Sequence, residues 1–183
     1  RYTDEEKDFE LRPLELAGEV GSTSDSNSWD DVTYRVGVDY QVTDNIFTYF
    51  SFSTGFKSGG YNEQASTLTA IGPFDEETAD SYEIGIKSDL FDQRVRFNLA
   101  VFHVKYDDLQ LDSVVPEPSS PVGQESRVTN AGESKVWGVE VEGAASITDQ
   151  LLIQATLGYL HSEYDSYACA LGNPDARPPS SQL

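Results

Sequence analysis

The 183-residue sequence contains no methionine, a single cysteine and only two histidines. One cysteine excludes a disulfide framework within these residues and leaves no cysteine-based metal site. The two histidines, His103 and His161, lie too far apart in sequence to form a local metal-binding motif. A Gly-x-Ser-x-Gly nucleophile element is missing as well. We therefore predict no catalytic residue, no metal site and no bound cofactor.

Basic residues are also scarce. The sequence has 12 lysines and arginines against 32 aspartates and glutamates, which gives a formal net charge of −20. Nucleic-acid binding needs a basic surface that neutralises phosphates, so this charge argues against it. It argues equally against electrostatic docking on an anionic membrane surface. The acidic residues are dense in residues 4–31, and this segment is predicted to be solvated and hydrophilic.

Long apolar runs are missing too, since none approaches the roughly 20 residues of a membrane-spanning helix. Apolar and polar residues alternate instead, which is typical of β-strands. Val36, Val38 and Tyr40, for example, share one face of a predicted strand, and Arg35 and Asp39 share the other. Transmembrane β-barrels have this alternation, because one face contacts lipid and the other lines the lumen.

The predicted strands are joined by connections that alternate between long and short. The short ones contain aspartate, which favours turns, and lie at residues 43–45, 91–93 and 148–150. The long ones are rich in glycine, proline, serine and acidic residues and span residues 12–28, 57–78 and 113–127. Outer-membrane barrels have this layout, with short turns on the periplasmic side and long loops on the extracellular side.

These patterns predict an all-β fold: a sector of an antiparallel, up-and-down transmembrane β-barrel with short periplasmic turns and long extracellular loops. About seven strands are expected, over residues 1–11, 29–41, 46–56, 79–91, 94–112, 127–147 and 151–167. Seven is odd, whereas single-chain bacterial barrels have even numbers of strands. A sheet with an unpaired edge strand is also too costly in lipid, because its backbone hydrogen-bonding groups have no partners there. The sequence is therefore expected to be a piece of a larger barrel.

Several charged residues fall on the polar faces of these predicted strands. They are Arg35, Glu83, Lys87, Arg94, Arg96, Glu140 and Glu142. A packed core does not accept unpaired charges, whereas a water-filled lumen does. We predict that they form a lumen-facing charge ladder, in which basic residues pair with acidic ones across neighbouring strands.

The stretch YFSFSTGFKSGGYN (49–62) leads an aromatic strand into a glycine-rich turn with one lysine. It resembles a signature of TonB-dependent outer-membrane receptors. Four other segments are similar to the same family: RYTDEEKDF (1–9), ETADSYEIGIKSDLFDQRVRFNLAVFHVKYDDLQ (77–110), NAGESKVWGVEVEG (130–143) and LGYLHSEYDSY (157–167). Together they cover nearly the whole chain in the family's order.

The resemblance implies a fold and a function. Members of the family resemble a barrel of about 22 strands with a plugged lumen, and they take up scarce ligands with energy passed through TonB to the plug. Residues 1–183 are thus expected to be a partial β-barrel domain without the plug and the closing strands. The resemblance places the protein in the outer membrane of a Gram-negative bacterium, in contact with lipid. The implied ligand is a small nutrient complex, with a ferric siderophore as the default.

Lys57, Tyr61 and Asn62 are the candidate ligand-binding residues, because rim loops are where receptors display side chains. A phosphate loop is excluded, since Phe56 rather than glycine precedes Lys57. The alternative explanation is a strand that ends at the rim and uses its glycines for positive φ angles.

Other interpretations stay open at this point. A soluble extracellular β-sandwich that binds carbohydrate would also explain the acidity and the aromatic residues. Glu140 and Glu142, about 7 Å apart by strand rise, match the carboxylate separation of an inverting glycosidase. Residues 25–31 partly resemble a calcium loop but lack its glycine. Cys169 is either a free thiol or a partner for a cysteine outside this sequence.

Overall fold

A computed structural model of the chain describes residues 1–11, 23–62, 65, 71–118, 120, 122–130 and 132–167. These residues form ten β-strands: β1 (Tyr2–Leu11), β2 (Thr23–Val32), β3 (Arg35–Thr43), β4 (Ile46–Lys57), β5 (Glu77–Leu90), β6 (Val95–Asp107), β7 (Gln110–Pro116), β8 (Gln124–Asn130), β9 (Gly132–Thr148) and β10 (Leu151–Tyr167). Across the described ranges, no helix has the length and apolar composition needed to cross a membrane.

Six strands form one antiparallel sheet in the order β10–β9–β6–β5–β4–β3, which we call the wall. Two antiparallel pairs stand apart from it: β1–β2, the first hairpin, and β7–β8, the second hairpin. Strands that are consecutive in the wall are also consecutive in the chain, except that the second hairpin is inserted between β6 and β9. The predicted up-and-down order is thus confirmed.

Three of the predicted strands are interrupted. The predicted strand 29–41 is divided between β2 and β3, and 127–147 is divided between β8 and β9. The predicted strand 94–112 is divided between β6 and β7 at Asp108, whose φ of 53° breaks the extended backbone. The expectation of about seven strands therefore becomes ten strands among the described residues.

Two of the predicted loops contain strands. β2 begins at Thr23, inside the predicted loop 12–28, and the second hairpin covers most of the predicted loop 113–127. The sequence of β2 begins TSDSNS and consists there of small polar residues. Such a segment has no apolar periodicity, so its strand comes from pairing with β1 rather than from its own pattern.

The short turns lie where they were predicted, at residues 44–45, 91–94 and 149–150. Because the wall is an antiparallel meander, all three lie at the same end of it. The two hairpins and residues 58–62, 65 and 71–76 lie at the opposite end, which we call the rim.

The register separates apolar from polar residues on the two faces of the wall. Directly opposed residues share a face, and one middle row consists of Val38, Phe50, Ile84, Val101, Val139 and Tyr159. Much of this row is exposed, including 62% of Val38 and 58% of Ile84. An exposed apolar face of this kind is unfavourable in water and matches the lipid-facing side of a barrel.

An aromatic row lies on the same face, two residues closer to the rim. It consists of Phe52, Tyr82, His103, Trp137 and His161. Ring centroids are 4.8 Å apart for Phe52 and Tyr82 and 5.7 Å apart for Trp137 and His161. Aromatic girdles occur at the membrane interfaces of barrels, so this row marks the rim-side boundary of the apolar face.

The wall has no apolar core of its own. Its buried residues are small: Ser51, Gly85, Ser88, Ser134 and Gly138. The buried apolar residues of the described chain all lie at the rim: Trp29, Ala65, Ile71 and Val115. A β-sandwich packs two apolar faces about 10 Å apart. The arrangement here therefore argues against the soluble sandwich and supports the predicted barrel wall.

We expect Val38→Lys to destabilise the full-length protein by about 2–4 kcal/mol, because it places a charge in the middle of the apolar face that we expect to contact lipid. Asp39→Lys is the matched control, since the adjacent residue of β3 points to the polar face. The measurement is denaturant unfolding of the protein folded into lipid vesicles. Equal destabilisation by the two substitutions would contradict the assignment of the faces.

A second expectation concerns close packing within the wall. A Cβ at Gly138 would come within 2.6 Å of the Phe102 ring and of the backbone oxygen of Tyr159. We expect Gly138→Ala to lower the free energy of unfolding by about 1–3 kcal/mol, as overpacking does. Gly143→Ala, in the same strand, should have little effect, because its Cβ would approach only the Ala155 oxygen, at 4.0 Å. Thermal unfolding of both variants in detergent checks the difference.

Candidate functional site

The polar face of the wall carries most of the predicted charge ladder. The register places Arg35, Glu83, Lys87, Arg96, Glu140 and Glu142 on this one face. It is the face opposite the apolar and aromatic rows, because side chains alternate along each strand. The structure thus brings these residues onto one surface, and their contact with a lumen stays a prediction.

Arg94 is the predicted ladder residue that lies outside the strands of the wall. It lies in the turn before β6, which begins at Val95. Its guanidinium donates to the backbone oxygens of Ser146 at 3.3 Å and Ile147 at 3.5 Å. Arg94 therefore binds carbonyls at the end of β9, and its place in the charge ladder stays a prediction.

The ladder residues pair differently from the expected basic–glutamate rungs. Arg96 Nε donates to Asp89 Oδ1 on the neighbouring strand at 2.9 Å. Asn98 Nδ2 donates to Glu142 Oε2 at 3.3 Å. The arginine therefore binds an aspartate near the turn, and the glutamate binds a neutral amide.

A polar cleft of about 380 Å³ lies at the turn end of this face. Among the residues that line it are Gln41, Asp44, Lys87, Asp89, Arg96 and Asn98. Lys87 Nζ also lies 5.5 Å from the ring centroid of Tyr49, a cation–π distance. Charges of both signs suit the cleft to polar groups rather than to an apolar ligand.

At the rim, residues 58–62 and 71–76 extend the β4–β5 pair, and we call them the stalk. Gly60 N donates to Phe74 O at 3.1 Å, and Phe74 N donates to Gly60 O at 2.8 Å. Asn62 N donates to Ile71 O at 2.6 Å. The stalk therefore has the backbone pairing of a short β-ladder, and it contacts both hairpins.

Lys57 lies at the base of the stalk and keeps an exposed side chain. Its Nζ is 3.8 Å from Glu77 Oε2, and 62% of the side chain is exposed. An exposed ion pair at this distance contributes about 0–1 kcal/mol. The cation is therefore available at the rim, and its ligand role stays a prediction.

Tyr61 packs against the first hairpin. Its ring stacks on Phe9, with centroids 5.5 Å apart, and meets the edge of Trp29 at 6.2 Å. Its hydroxyl donates to Asp25 Oδ2 at 3.2 Å. Partial burial, this hydrogen bond and the charge of Asp25 raise the pKa of Tyr61 above its usual 10.0. The residue predicted as a ligand contact thus also fixes a hairpin.

Lys7 makes a second connection between the first hairpin and the stalk. Its Nζ donates to Ser58 Oγ at 2.9 Å and to Gly59 O at 2.6 Å. The same atom lies 5.6 Å from the ring centroid of Trp29, which is only 4% exposed. Lys7 and Trp29 were missed by sequence reasoning, which treated residues 4–31 as solvated.

The first hairpin is in fact two-faced. The residues of one face are all exposed: Asp4, Glu6, Asp8, Glu10, Ser24, Ser26, Ser28 and Asp30. The opposite face packs Lys7, Phe9 and Trp29 against the stalk. The solvated prediction thus holds for one face only, and the alternation within YTDEEKDFEL is the sequence signal that distinguishes them.

Asn62 binds the second hairpin. Its Nδ2 donates to Val128 O at 3.1 Å, and its Oδ1 accepts from Val128 N at 2.7 Å. The side-chain amide thereby pairs with the backbone as a neighbouring strand would. Both ends of the amide are engaged within the protein, and a ligand role for Asn62 stays a prediction.

Two further amide side chains, also missed from the sequence, hold the second hairpin to the stalk. Asn130 accepts from Asp75 N at 2.8 Å and donates to Asp75 O and Asp108 O, each at 2.9 Å. Gln110 Nε2 donates to Ser58 O at 2.9 Å and to Asp75 O at 3.0 Å. An amide combines donors with an acceptor, so it can join two backbone edges that do not pair directly.

Gly59 is required for space rather than for a positive φ. A Cβ at this position would lie 2.2 Å from Phe74 O and 2.3 Å from Trp29 Nε1. The glycines of the described residues with positive φ are Gly72 and Gly123. The explanation of Gly59-Gly60 by unusual φ angles was therefore wrong, and close approach of the first hairpin replaces it.

The other candidate sites from the sequence do not correspond to a binding site among the described residues. Within the part of the chain that is described, no group of three or more His, Cys, Asp or Glu side chains is placed to hold a metal ion. Residues 25–31, which partly resemble a calcium loop, lie in β2, where successive side chains point to opposite faces. Cys169 lies outside the described residues.

We expect Gly59→Ala to loosen the first hairpin from the stalk, because the added methyl group displaces either Trp29 or the backbone at Phe74. Limited proteolysis of the full-length protein should then cut residues 23–32 roughly 5–30 times faster, the factor for 1–2 kcal/mol. Gly55→Ala is the control, since its Cβ would meet Ala79 Cβ at an ordinary 3.5 Å. Unchanged cleavage in Gly59→Ala would contradict the close packing.

Tyr61 gives a pH-dependent expectation. Its folded pKa is raised above the usual 10.0, so its contribution to stability is fully present below that pH. The contribution is lost as the pH rises through the raised value. The tyrosinate absorbance difference between the full-length protein and Tyr61→Phe should therefore titrate above 10.0. A midpoint at or below the value of free tyrosine would contradict the hydrogen bond to Asp25.

Comparisons with known proteins agree on one family. The sequence-family model described as "TonB dependent receptor-like, beta-barrel" matches residues 1–181. The metal-pseudopaline receptor CntO of Pseudomonas aeruginosa is 30% identical over 146 residues, which cover 80% of this chain and 19% of the relative. A protein of Acinetobacter baumannii named "Probable TonB-dependent siderophore receptor PiuA" is 31% identical over 155 residues, which cover 82% of this chain and 19% of the relative.

The solved structures show the same fold. The ferric yersiniabactin uptake receptor FyuA of Yersinia pestis superposes with a TM-score of 0.62 at 22% identity, covering 80% of this chain and 21% of that one. The chain spans about a fifth of the length of the curated relatives it matches, 19% for CntO. Together with the exposed apolar face of the wall, these matches confirm the barrel wall and an outer-membrane location. The chain belongs to the TonB-dependent receptor family and forms part of its β-barrel domain.

Proposed function

We propose that this chain forms part of the wall and rim of a receptor that takes up a scarce metal bound to a siderophore, with a ferric siderophore as the leading ligand class. The observation that carries the proposal is the match to receptors named for pseudopaline-bound metal and for siderophores. Residues 1–183 would be a partial barrel domain. The plug, the closing strands and the contact with TonB would belong to other parts of the protein, and no catalysis is involved.

The two faces of the wall support transport across a membrane. The apolar face, with its aromatic row, would contact outer-membrane lipid. The polar face, with Glu83, Lys87, Arg96 and Glu140, would line the path of the ligand past the plug. Glu140 and Glu142 then serve as lumen charges, which leaves the glycosidase interpretation without a role for them.

Lys57 is the strongest candidate for direct ligand contact among the three rim residues. Its ammonium group is exposed, whereas the Tyr61 hydroxyl and the Asn62 amide are engaged by Asp25 and Val128. An ammonium group forms charge-assisted hydrogen bonds with the oxygen atoms that enclose a chelated metal. Tyr61 and Asn62 would act on the ligand through the hairpins that they position.

The acidic face of the first hairpin limits the negative charge that the ligand can carry. Its exposed carboxylates belong to Asp4, Glu6, Asp8, Glu10 and Asp30. Such a surface repels a strongly anionic complex at long range. We therefore propose a neutral or weakly charged ferric complex rather than a polyanionic one.

The test uses the full-length receptor in its own bacterium under iron limitation. Deleting its gene should abolish uptake of one radiolabelled ferric siderophore, and deleting the TonB gene should abolish uptake while leaving binding at the surface. A panel of neutral and anionic ferric siderophores identifies the class. Unchanged uptake of every ferric siderophore after gene deletion would contradict the proposal.

For the bound ligand, we expect Lys57→Ala to weaken binding to the purified receptor about tenfold, equivalent to ~1.4 kcal/mol. Lys105→Ala is the matched control, because Lys105 lies on the apolar face of the wall and pairs with Asp107 at 2.8 Å. Isothermal titration measures both. Equal affinity in Lys57→Ala and the unsubstituted receptor would remove Lys57 from the binding site.

A further inference from the structure

We propose that the stalk is a coupling element that joins the first and second hairpins, so that an opening of one hairpin loosens the other. The two hairpins lie far apart in sequence: the first pairs residues 2–11 with 23–32, and the second pairs residues 110–116 with 124–130. Each makes its own contacts with the stalk, and these contacts converge on the same few stalk residues. The inference concerns the mechanics of the rim and does not depend on which ligand is transported.

Two neighbouring stalk residues serve opposite sides. Tyr61 stacks on Phe9 and donates to Asp25 of the first hairpin. Asn62 exchanges two hydrogen bonds with Val128 of the second hairpin. Successive side chains of an extended segment point in opposite directions, so the sequence Tyr-Asn places one anchor on each side.

Ser58 is a second point of convergence. Its hydroxyl accepts from Lys7 of the first hairpin, at 2.9 Å. Its backbone oxygen accepts from Gln110 of the second hairpin, at 2.9 Å. A single residue of the stalk therefore links both hairpins at the base, as Tyr61 and Asn62 do nearer the tip.

The coupling follows from the shared backbone. Fixing the φ and ψ angles of a residue costs conformational entropy. Once the contacts on one side have ordered residues 58–62, the contacts on the other side form without a further loss of backbone entropy in these residues. The two sets of contacts therefore stabilise each other, which is a positive coupling between separate sites.

The test is hydrogen–deuterium exchange of the full-length receptor in detergent micelles. Asn62→Ala should speed exchange in residues 124–130, which Asn62 touches, by roughly 5–30-fold. The decisive result is faster exchange also in residues 23–32, since the hydrogen bonds of Asn62 are with Val128, Ile71 and Ala65 instead. Tyr61→Ala should give the converse, with faster exchange in residues 124–130 as the remote effect.

Milder and matched variants keep the test conclusive. Tyr61→Phe keeps the ring stack and removes only the hydrogen bond to Asp25, and Asn62→Asp keeps the acceptor for Val128 N. Both should give smaller changes in the same directions. Asn98→Ala, an amide on the polar face of the wall, should leave both hairpins unchanged. Normal exchange in residues 95–107 verifies that each variant has a folded wall.

The result that would overturn the inference is a purely local response. In that case Asn62→Ala and Asn62→Asp would affect only residues 124–130, and Tyr61→Ala and Tyr61→Phe would affect only the first hairpin. The double variant would then show additive effects, whereas coupled sites give non-additive ones.

Discussion

The constraint on which this structure depends is that a backbone in lipid must satisfy its own hydrogen bonds. The six-stranded wall meets it with continuous antiparallel ladders, such as the run from Lys57↔Glu77 to Ile46↔Ser88 between β4 and β5. Because a sheet leaves only its two faces free, one face must suit lipid and the other must suit water. Val38, Ile84 and Val101 on one side and Glu83 and Lys87 on the other follow from that requirement.

The wall and the rim are stabilised by different means. The wall depends on backbone pairing and buries only small residues such as Ser51 and Gly138. The rim projects beyond the apolar face. There, apolar side chains such as Trp29 and Ile71 are buried. Polar side chains then take over the role of strand pairing, as Asn62 does with Val128. This explains how the two hairpins are held at the end of the wall without being part of its sheet.

Sequence reasoning predicts the wall well, because strands with one apolar face carry a strict period of two. The alternation of Val36, Val38 and Tyr40 predicts both the strand and the face that it turns outward. The aspartate-containing turns predict the hairpins. The rim is predicted poorly, since its strands lack that signal. β2 consists largely of serine, asparagine and aspartate, and only pairing with β1 makes it a strand. Asn62 and Asn130 are anchors whose partners lie more than 50 residues away, at Val128 and Asp75.

The central claim is that the wall has one lipid-facing and one polar face, and spin labels placed singly along residues 97–102 of β6 test it most directly. In the full-length receptor reconstituted in lipid, collisions with dissolved oxygen report lipid exposure. The account predicts a period of two, with high oxygen accessibility at Phe97, Leu99 and Val101 and low accessibility at Asn98, Ala100 and Phe102. A flat profile, or equal access of a water-soluble reagent to both sets, would contradict it.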